Sequence, residues 1–226
     1  MTPMARRAPG DARLGPHRYG LVLALTFVTA AFTLLAPDGS FARVTSLLAA
    51  GGTLLAGVVT SEAPRRTRKV LAVALIALVL AGALIDLVAS PGPWGILGDT
   101  ALMCAATIGV TAGGLVRLVV ERGVVVQAVL GAIAVYLLIG LTFAFAIGAL
   151  ATALHEPYFA QGTDATQSTR TYFSFTSLTT TGYGDYTAGL VSGRALAVLE
   201  MLVGQLYLVT VIALLVGNLG RRRERA

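Results

Sequence analysis

Residues 179–185 read Thr-Thr-Thr-Gly-Tyr-Gly-Asp, and this heptapeptide sits between two strongly apolar stretches, Val124 to Leu154 and Leu190 to Leu219. Glycine accepts backbone dihedrals that a side chain forbids. Non-helical backbone between membrane-length apolar stretches is tolerated only where it is buried in protein or lines a water-filled path. The heptapeptide therefore has a meaning only if the chain around it is a membrane protein.

Composition says that it is. Of 226 residues, 56% are hydrophobic and 12% charged, with a mean hydropathy of +0.79, against about 25% charge in a soluble domain. A helix crossing a hydrocarbon core of about 30 Å needs about 20 apolar residues. Six segments qualify, approximately Tyr19 to Ala36, Phe41 to Thr60, Val70 to Ser90, Ile96 to Val120, Val124 to Leu154 and Leu190 to Leu219. PDGS at 37–40, SEAPRR at 61–66 and SPGPWG at 90–95 supply turn residues between the first four. The fold class expected is an all-α membrane protein. Cys104, the single cysteine, lies in an apolar run, so no intrachain disulfide forms and the thiol reads as buried and inert.

The net charge is +6, and Lys69 is the one lysine among 17 basic residues. The arginines cluster beside apolar segments, which marks topology rather than a nucleic-acid partner. With the N-terminus in the cytoplasm, Arg6, Arg7, Arg13 and Arg18 lie inside, as do Arg65, Arg66, Arg68, Lys69, Arg117, Arg122, Arg221, Arg222, Arg223 and Arg225. Only Arg43, Arg170 and Arg194 fall outside, so the positive-inside rule places both termini in the cytoplasm. A cleavable signal peptide is the alternative for the first segment, which has a basic start and small residues at Ser40 and Ala42; cleavage leaves the orientation of the rest unchanged.

After Leu154 the chain turns polar, HEPYFAQGTDATQSTR from His155 to Arg170. Ser168 to Thr179 is long enough for a half-membrane helix, with Tyr172, Phe173 and Phe175 as its apolar body. A re-entrant helix followed by an extended Thr180 to Gly184 satisfies the burial condition if four copies surround an axis. Successive carbonyls then face a cation and replace its hydration shell.

With these residues in place, Val124 to Leu219 resembles the potassium-channel pore family: outer helix, pore helix, TTTGYGD filter, and inner helix with Gly204. The resemblance implies six transmembrane helices with a re-entrant pore helix and filter loop between the fifth and sixth, assembled as a homotetramer. It implies K+ as the permeant ion, no cofactor, and ion-binding oxygens from Thr180, Thr181, Gly182 and Tyr183, with Gly184 at the outer mouth. Tyr183 would point away from the pore and brace against Tyr172 or Phe173, and Asp185 would stand behind the outer mouth. Two departures stand out. Thr181 occupies a position that is often valine in the family, and residues 169–179 hold no carboxylate to pair with Asp185.

The inner helix carries Glu200 in its outer half, where an ionisable side chain needs a partner. One reading has Glu200 bracing the pore helix and filter through Thr176, Ser177 or nearby backbone; the other is a protonated or snorkelling acid near the interface. Gly204 reads as a gating hinge candidate or as a small residue for close packing, and Gln205 as a packing hydrogen bond.

The fourth segment has only Arg117 as a basic residue, near its end, whereas a voltage sensor needs about 3 to 4 gating charges. The chain then divides into a cytoplasmic basic N-terminus at 1–18, a four-helix transmembrane domain lacking gating charges at 19–120, a pore domain at 121–219, and a basic tail at 220–226. Anionic lipid is a partner expected at Arg221, Arg222 and Arg223. No phosphate loop, His/Cys metal cluster or partnered nucleophile points to an enzyme. The expected function is passive, potassium-selective conduction in the plasma (cell inner) membrane. The alternatives are a weakly selective cation channel and a non-conducting, channel-associated scaffold.

Overall fold

A computed structural model describes residues 19–35, 39–60, 94–163 and 165–219. The expected third segment, the basic residues at 65–69, and both basic termini lie outside the described residues. Helices account for the architecture: α1 (Tyr19–Leu35), α2 (Ser40–Thr60), α3 (Trp94–Arg122), α4 (Val126–Leu154), α5 (Gln167–Leu178) and α6 (Val191–Tyr207). A π-helical turn, Leu208–Ile212, then joins α6 to α7 (Ala213–Gly217). Among the described residues the one β pairing is an isolated antiparallel bridge between Phe159 and Ala188.

By length and composition, four helices can cross a membrane: Phe41–Thr60, Thr100–Arg122, Val126–Leu154 and Val191–Gly217. The first segment forms α1, an apolar helix of 17 residues, shorter than these. The expectation of six spans is thus met at four, with α1 a shorter apolar helix. At 12 residues, α5 is about 18 Å long and too short to span.

Hydroxyls inside apolar helices need acceptors, because an unsatisfied polar group there is costly. Thr26 donates to Val22 O at 2.8 Å, Thr107 to Met103 O at 2.8 Å and Thr142 to Leu138 O at 2.7 Å, each one turn back on its own helix. The threonines therefore remain compatible with burial against lipid or protein.

Helix α4 is the centre of the assembly. Its Leu138, Leu141 and Phe145 join Leu47, Leu54 and Val58 of α2 and Met103 and Cys104 of α3 in one buried cluster. Lower down, Ala128 and Ala132 meet Tyr19, Leu115, Leu118 and Leu215. At the other end, Ile147 and Ala151 pack with Tyr158, Phe159, Phe173 and Ala197. Helix α5 also touches α1, where the Ser168 hydroxyl donates to Leu34 O at 2.6 Å.

Candidate functional site

The site is built around the C-terminal end of α5. Thr166 caps the helix start, its hydroxyl accepting from Thr169 N–H at 3.1 Å. The helix runs Gln167–Leu178, one residue earlier at each end than the expected Ser168 to Thr179. At its far end the carbonyls that no longer serve the helix catch the loop: Thr180 N–H donates to Ser177 O at 2.9 Å, Thr181 N–H to Thr176 O at 2.8 Å and Gly182 N–H to Thr176 O at 3.1 Å. The loop backbone is therefore tied to α5 through two of its carbonyls.

Beyond that tie the backbone alternates. Thr180 (φ 57), Gly182 (φ 53) and Gly184 (φ 80) have positive φ, whereas Thr181 and Tyr183 do not. Alternating the sign of φ from residue to residue keeps successive carbonyls on one side of the chain instead of pointing them to opposite sides as in a strand. Two of the three positions are glycine, where the conformation carries no steric cost; Thr180 pays it. Its side chain is held on both counts, donating to Thr179 O at 2.7 Å and accepting from Gln205 Nε2 of α6 at 2.9 Å. Thr181 Oγ1 lies 2.8 Å from Thr179 Oγ1, whose hydroxyl reaches Phe175 O at 2.7 Å. Residues 179–185 are all exposed in the single chain.

Aromatic side chains fix the loop's outer half. The Tyr183 ring stacks on Tyr172 with centroids 6.1 Å apart and planes 3° apart. Of the two expected braces, only Tyr172 is used. Phe173 faces elsewhere, edge-on to Tyr158 at 5.9 Å and Phe159 at 5.2 Å. The Asp185 carboxylate accepts from Tyr186 N–H at 3.1 Å, and the Tyr172 phenol is near enough to feel its charge. The α5 group beside Asp185 is thus a phenol and not a carboxylate. Gln161, which the sequence reading did not single out, donates from Nε2 to Asp185 O at 2.8 Å.

The segment after α4 buttresses the same end. Tyr158 is fully buried and donates to Gly193 O of α6 at 3.0 Å, and burial pushes its phenol above the ordinary tyrosine value. Ala160 N–H reaches Thr187 O at 2.8 Å and Gly189 N–H reaches Tyr158 O at 2.9 Å. Arg194 Nε donates to Ala188 O at 3.1 Å.

Glu200 and Gly204 occupy the face of α6 that meets α5. Glu200 is fully buried, which departs from a side chain snorkelling to an interface. Its contact is Ser174 Oγ, two and three residues before the expected Thr176 and Ser177, because α5 crosses α6 with Ser174 toward it. The Thr176 hydroxyl donates instead to Phe173 O at 3.0 Å. A Cβ on Gly204 would lie 2.6 Å from Leu178 O and 2.7 Å from Leu178 Cδ1, so this position is a close approach of α6 to the end of α5. Gly204 lies inside regular α-helix. The irregular part of this span is the π turn that follows, where Ala213 N–H reaches back to Leu208 O. Leu178 O also accepts from the Tyr136 hydroxyl of α4 at 3.3 Å, a contact with no sequence signal beyond a tyrosine in an apolar helix.

A family model described as Ion channel matches residues 133–220. The searches of curated proteins and of solved structures returned no match to the chain. The matched stretch begins inside α4, contains α5 and the 179–185 loop, and runs past α7. Over these residues the chain is similar to ion channels, and the match indicates an ion-channel domain.

Proposed function

We propose that four copies of the chain surround an axis lined by Thr180 to Gly184 and conduct K+ passively and selectively across the plasma (cell inner) membrane. The observation that carries this reading is the alternating backbone of Thr180, Gly182 and Gly184, which suits carbonyls turned to one side for a dehydrated cation. Thr180, Thr181, Gly182 and Tyr183 supply the ring oxygens, Gly184 forms the outer mouth, and α5 enters the membrane as a re-entrant pore helix. Tyr172 and Asp185 steady the filter from outside the ion path.

Two further features favour this assembly. Residues 179–185 are exposed in one chain, and a loop of this kind at membrane depth needs protein or water around it. On α6 and its continuation, Leu199, Leu202, Leu206 and Val209 are each more than half exposed and await cover. A closed cyclic arrangement provides it. The Arg clusters orient the chain with both termini cytoplasmic, and Arg221, Arg222 and Arg223 bind anionic lipid. The four N-terminal segments form a unit without gating charges, since α3 offers only Arg117 and its last residue, Arg122.

The test is flux from liposomes holding the purified chain, with K+ and then Na+ as the driving ion, alongside Gly184→Ala. Potassium flux far above sodium flux, lost in the variant, supports the proposal. Equal fluxes make the pore a weakly selective cation channel. Absent flux at every voltage, with an intact homotetramer, favours a non-conducting scaffold.

A further inference from the structure

Glu200 is the one charged-type side chain fully buried among the described residues. Its Oε1 contacts Ser174 Oγ of α5, and its Oε2 has no hydrogen-bond partner. Ser174 is fully buried as well, and its Oγ also lies 2.7 Å from Gly140 O of α4. The three groups form a line from α6 through α5 to α4.

A serine hydroxyl has one proton to donate. A backbone carbonyl is an acceptor only, and an ionised carboxylate is an acceptor only. Ser174 can therefore satisfy Gly140 O or a Glu200 carboxylate, but not both at once. The titratable groups that face Glu200 do not relieve this. Tyr136 of α4 and Tyr158 of the following segment are near enough to feel its charge, yet their hydroxyls go to Leu178 O and Gly193 O. Among the described residues no cation contacts Glu200, and an unpaired buried carboxylate is strongly disfavoured.

We infer that Glu200 is held as a neutral carboxylic acid that donates to Ser174 Oγ while Ser174 donates to Gly140 O, and that this chain makes Glu200 a positioning residue for the 180–184 loop. The coupling path is short. Ser174 sits two residues before Thr176, whose carbonyl holds the N–H groups of Thr181 and Gly182. Fixing α5 in depth and rotation against both flanking helices fixes the carbonyl rail that depends on it. Glu200 acts through α5 and does not touch the ion.

The part concerning ions rests on the proposed function, whereas the part concerning the proton does not. The first experiment is infrared spectroscopy of the full chain in liposomes at neutral pH, wild type against Glu200→Gln. A protonated carboxylic-acid carbonyl band present in wild type and missing in the variant is expected; a difference confined to carboxylate bands overturns the inference. The second is the K+ to Na+ flux ratio. Glu200→Gln keeps an N–H donor toward Ser174 and retains the ratio within about twofold, while Glu200→Ala and Ser174→Ala each lower it by about tenfold, as loss of one buried hydrogen bond in a coupled chain implies. The double alanine variant should lose little more than either single one, since the two act as a unit. Alanine variants that lose thermal stability but keep the wild-type ratio overturn the positioning role, as does Glu200→Gln behaving like Glu200→Ala. Should wild type itself show no preference for K+, the proposed function fails while the infrared band still decides the proton.

Discussion

Helices α4 and the α6–α7 continuation are near equals in sequence, 29 and 27 residues of almost unbroken apolar character. In the folded chain they part company. Of the most apolar stretch, 61% is buried for Val126–Leu154 and 17% for Val191–Gly217. Hydropathy says that each leaves water, but not what it meets instead. Helix α4 finds its neighbours in its own chain, with α1, α3 and α5 all packed on it. Helix α6 finds one buried stripe, Gly193, Ala197, Glu200 and Gly204, and turns its remaining surface outward. The difference teaches that one span is finished by the fold and the other by assembly.

The sharpest way to break that comparison is through the loop that assembly is proposed to enclose. Gly182→Ala places a Cβ at φ 53, at about 1–2 kcal/mol in each copy. Over four copies around one path, K+ flux should fall by more than about a hundredfold, read in liposomes, with expression and oligomer size unchanged. Near-normal flux would mean that the alternating backbone is not the conducting one.

Next in size is the contrast between the two helix surfaces. Because Cys104 is buried and the sole native cysteine, single cysteines report cleanly, and a disulfide needs Cα atoms within about 7 Å. Oxidation should cross-link chains through at least one of Leu199→Cys, Leu202→Cys and Leu206→Cys on α6, and through neither Val126→Cys nor Ile133→Cys on α4, as seen on a non-reducing gel. Cross-links confined to α4 would reverse the assignment.

Within the chain, Gly204→Ala forces a methyl group toward Leu178 O at 2.6 Å and should cost about 1–3 kcal/mol of thermal stability. The matching change on α4, Gly140→Ala, meets the end of the Phe175 ring at 2.9 Å, a side chain that can swing aside, so its cost should fall at the lower end of that range. Differential scanning of the purified assembly compares them. The smallest effect is expected for Tyr172→Phe, which keeps the stack on Tyr183 and removes only the hydroxyl near Asp185. A small drop in thermal stability, with ion preference little changed, would place that hydroxyl as support for the outer mouth.

Much of this was legible in the sequence. Apolar runs near 20 residues gave α2, α3, α4 and the α6–α7 span within two or three residues, since length and hydropathy are properties of the segment itself. The two glycines of the heptapeptide announced the unusual backbone, and the Tyr183–Tyr172 pairing was within reach because both lie near one turn of chain. Thr180 was not foreseen as a positive-φ residue, for threonine is a poor choice there and Gln205, the α6 side chain that holds it, lies 25 positions along the chain. Ser174 was passed over in favour of Thr176 and Ser177 because the choice depends on the rotation of α5 against α6, which no local pattern encodes. The bond from Ser168 to Leu34 spans 134 positions and left no trace in either segment.

The π turn at Leu208–Ile212 has a consequence for how this span can change over time. In a regular α-helix one added or lost residue rotates everything beyond it by about 100°, so the two ends of a span answer to each other. A wider turn takes up a residue locally. Above it, Glu200 and Gly204 face α5; within and below it, Val211, Ile212 and Leu215 meet the cluster of Leu118, Ala128 and Ala132. The turn works as an expansion joint between two independently machined halves, so that the outer half can keep its fit while the inner half drifts in sequence, length and partner.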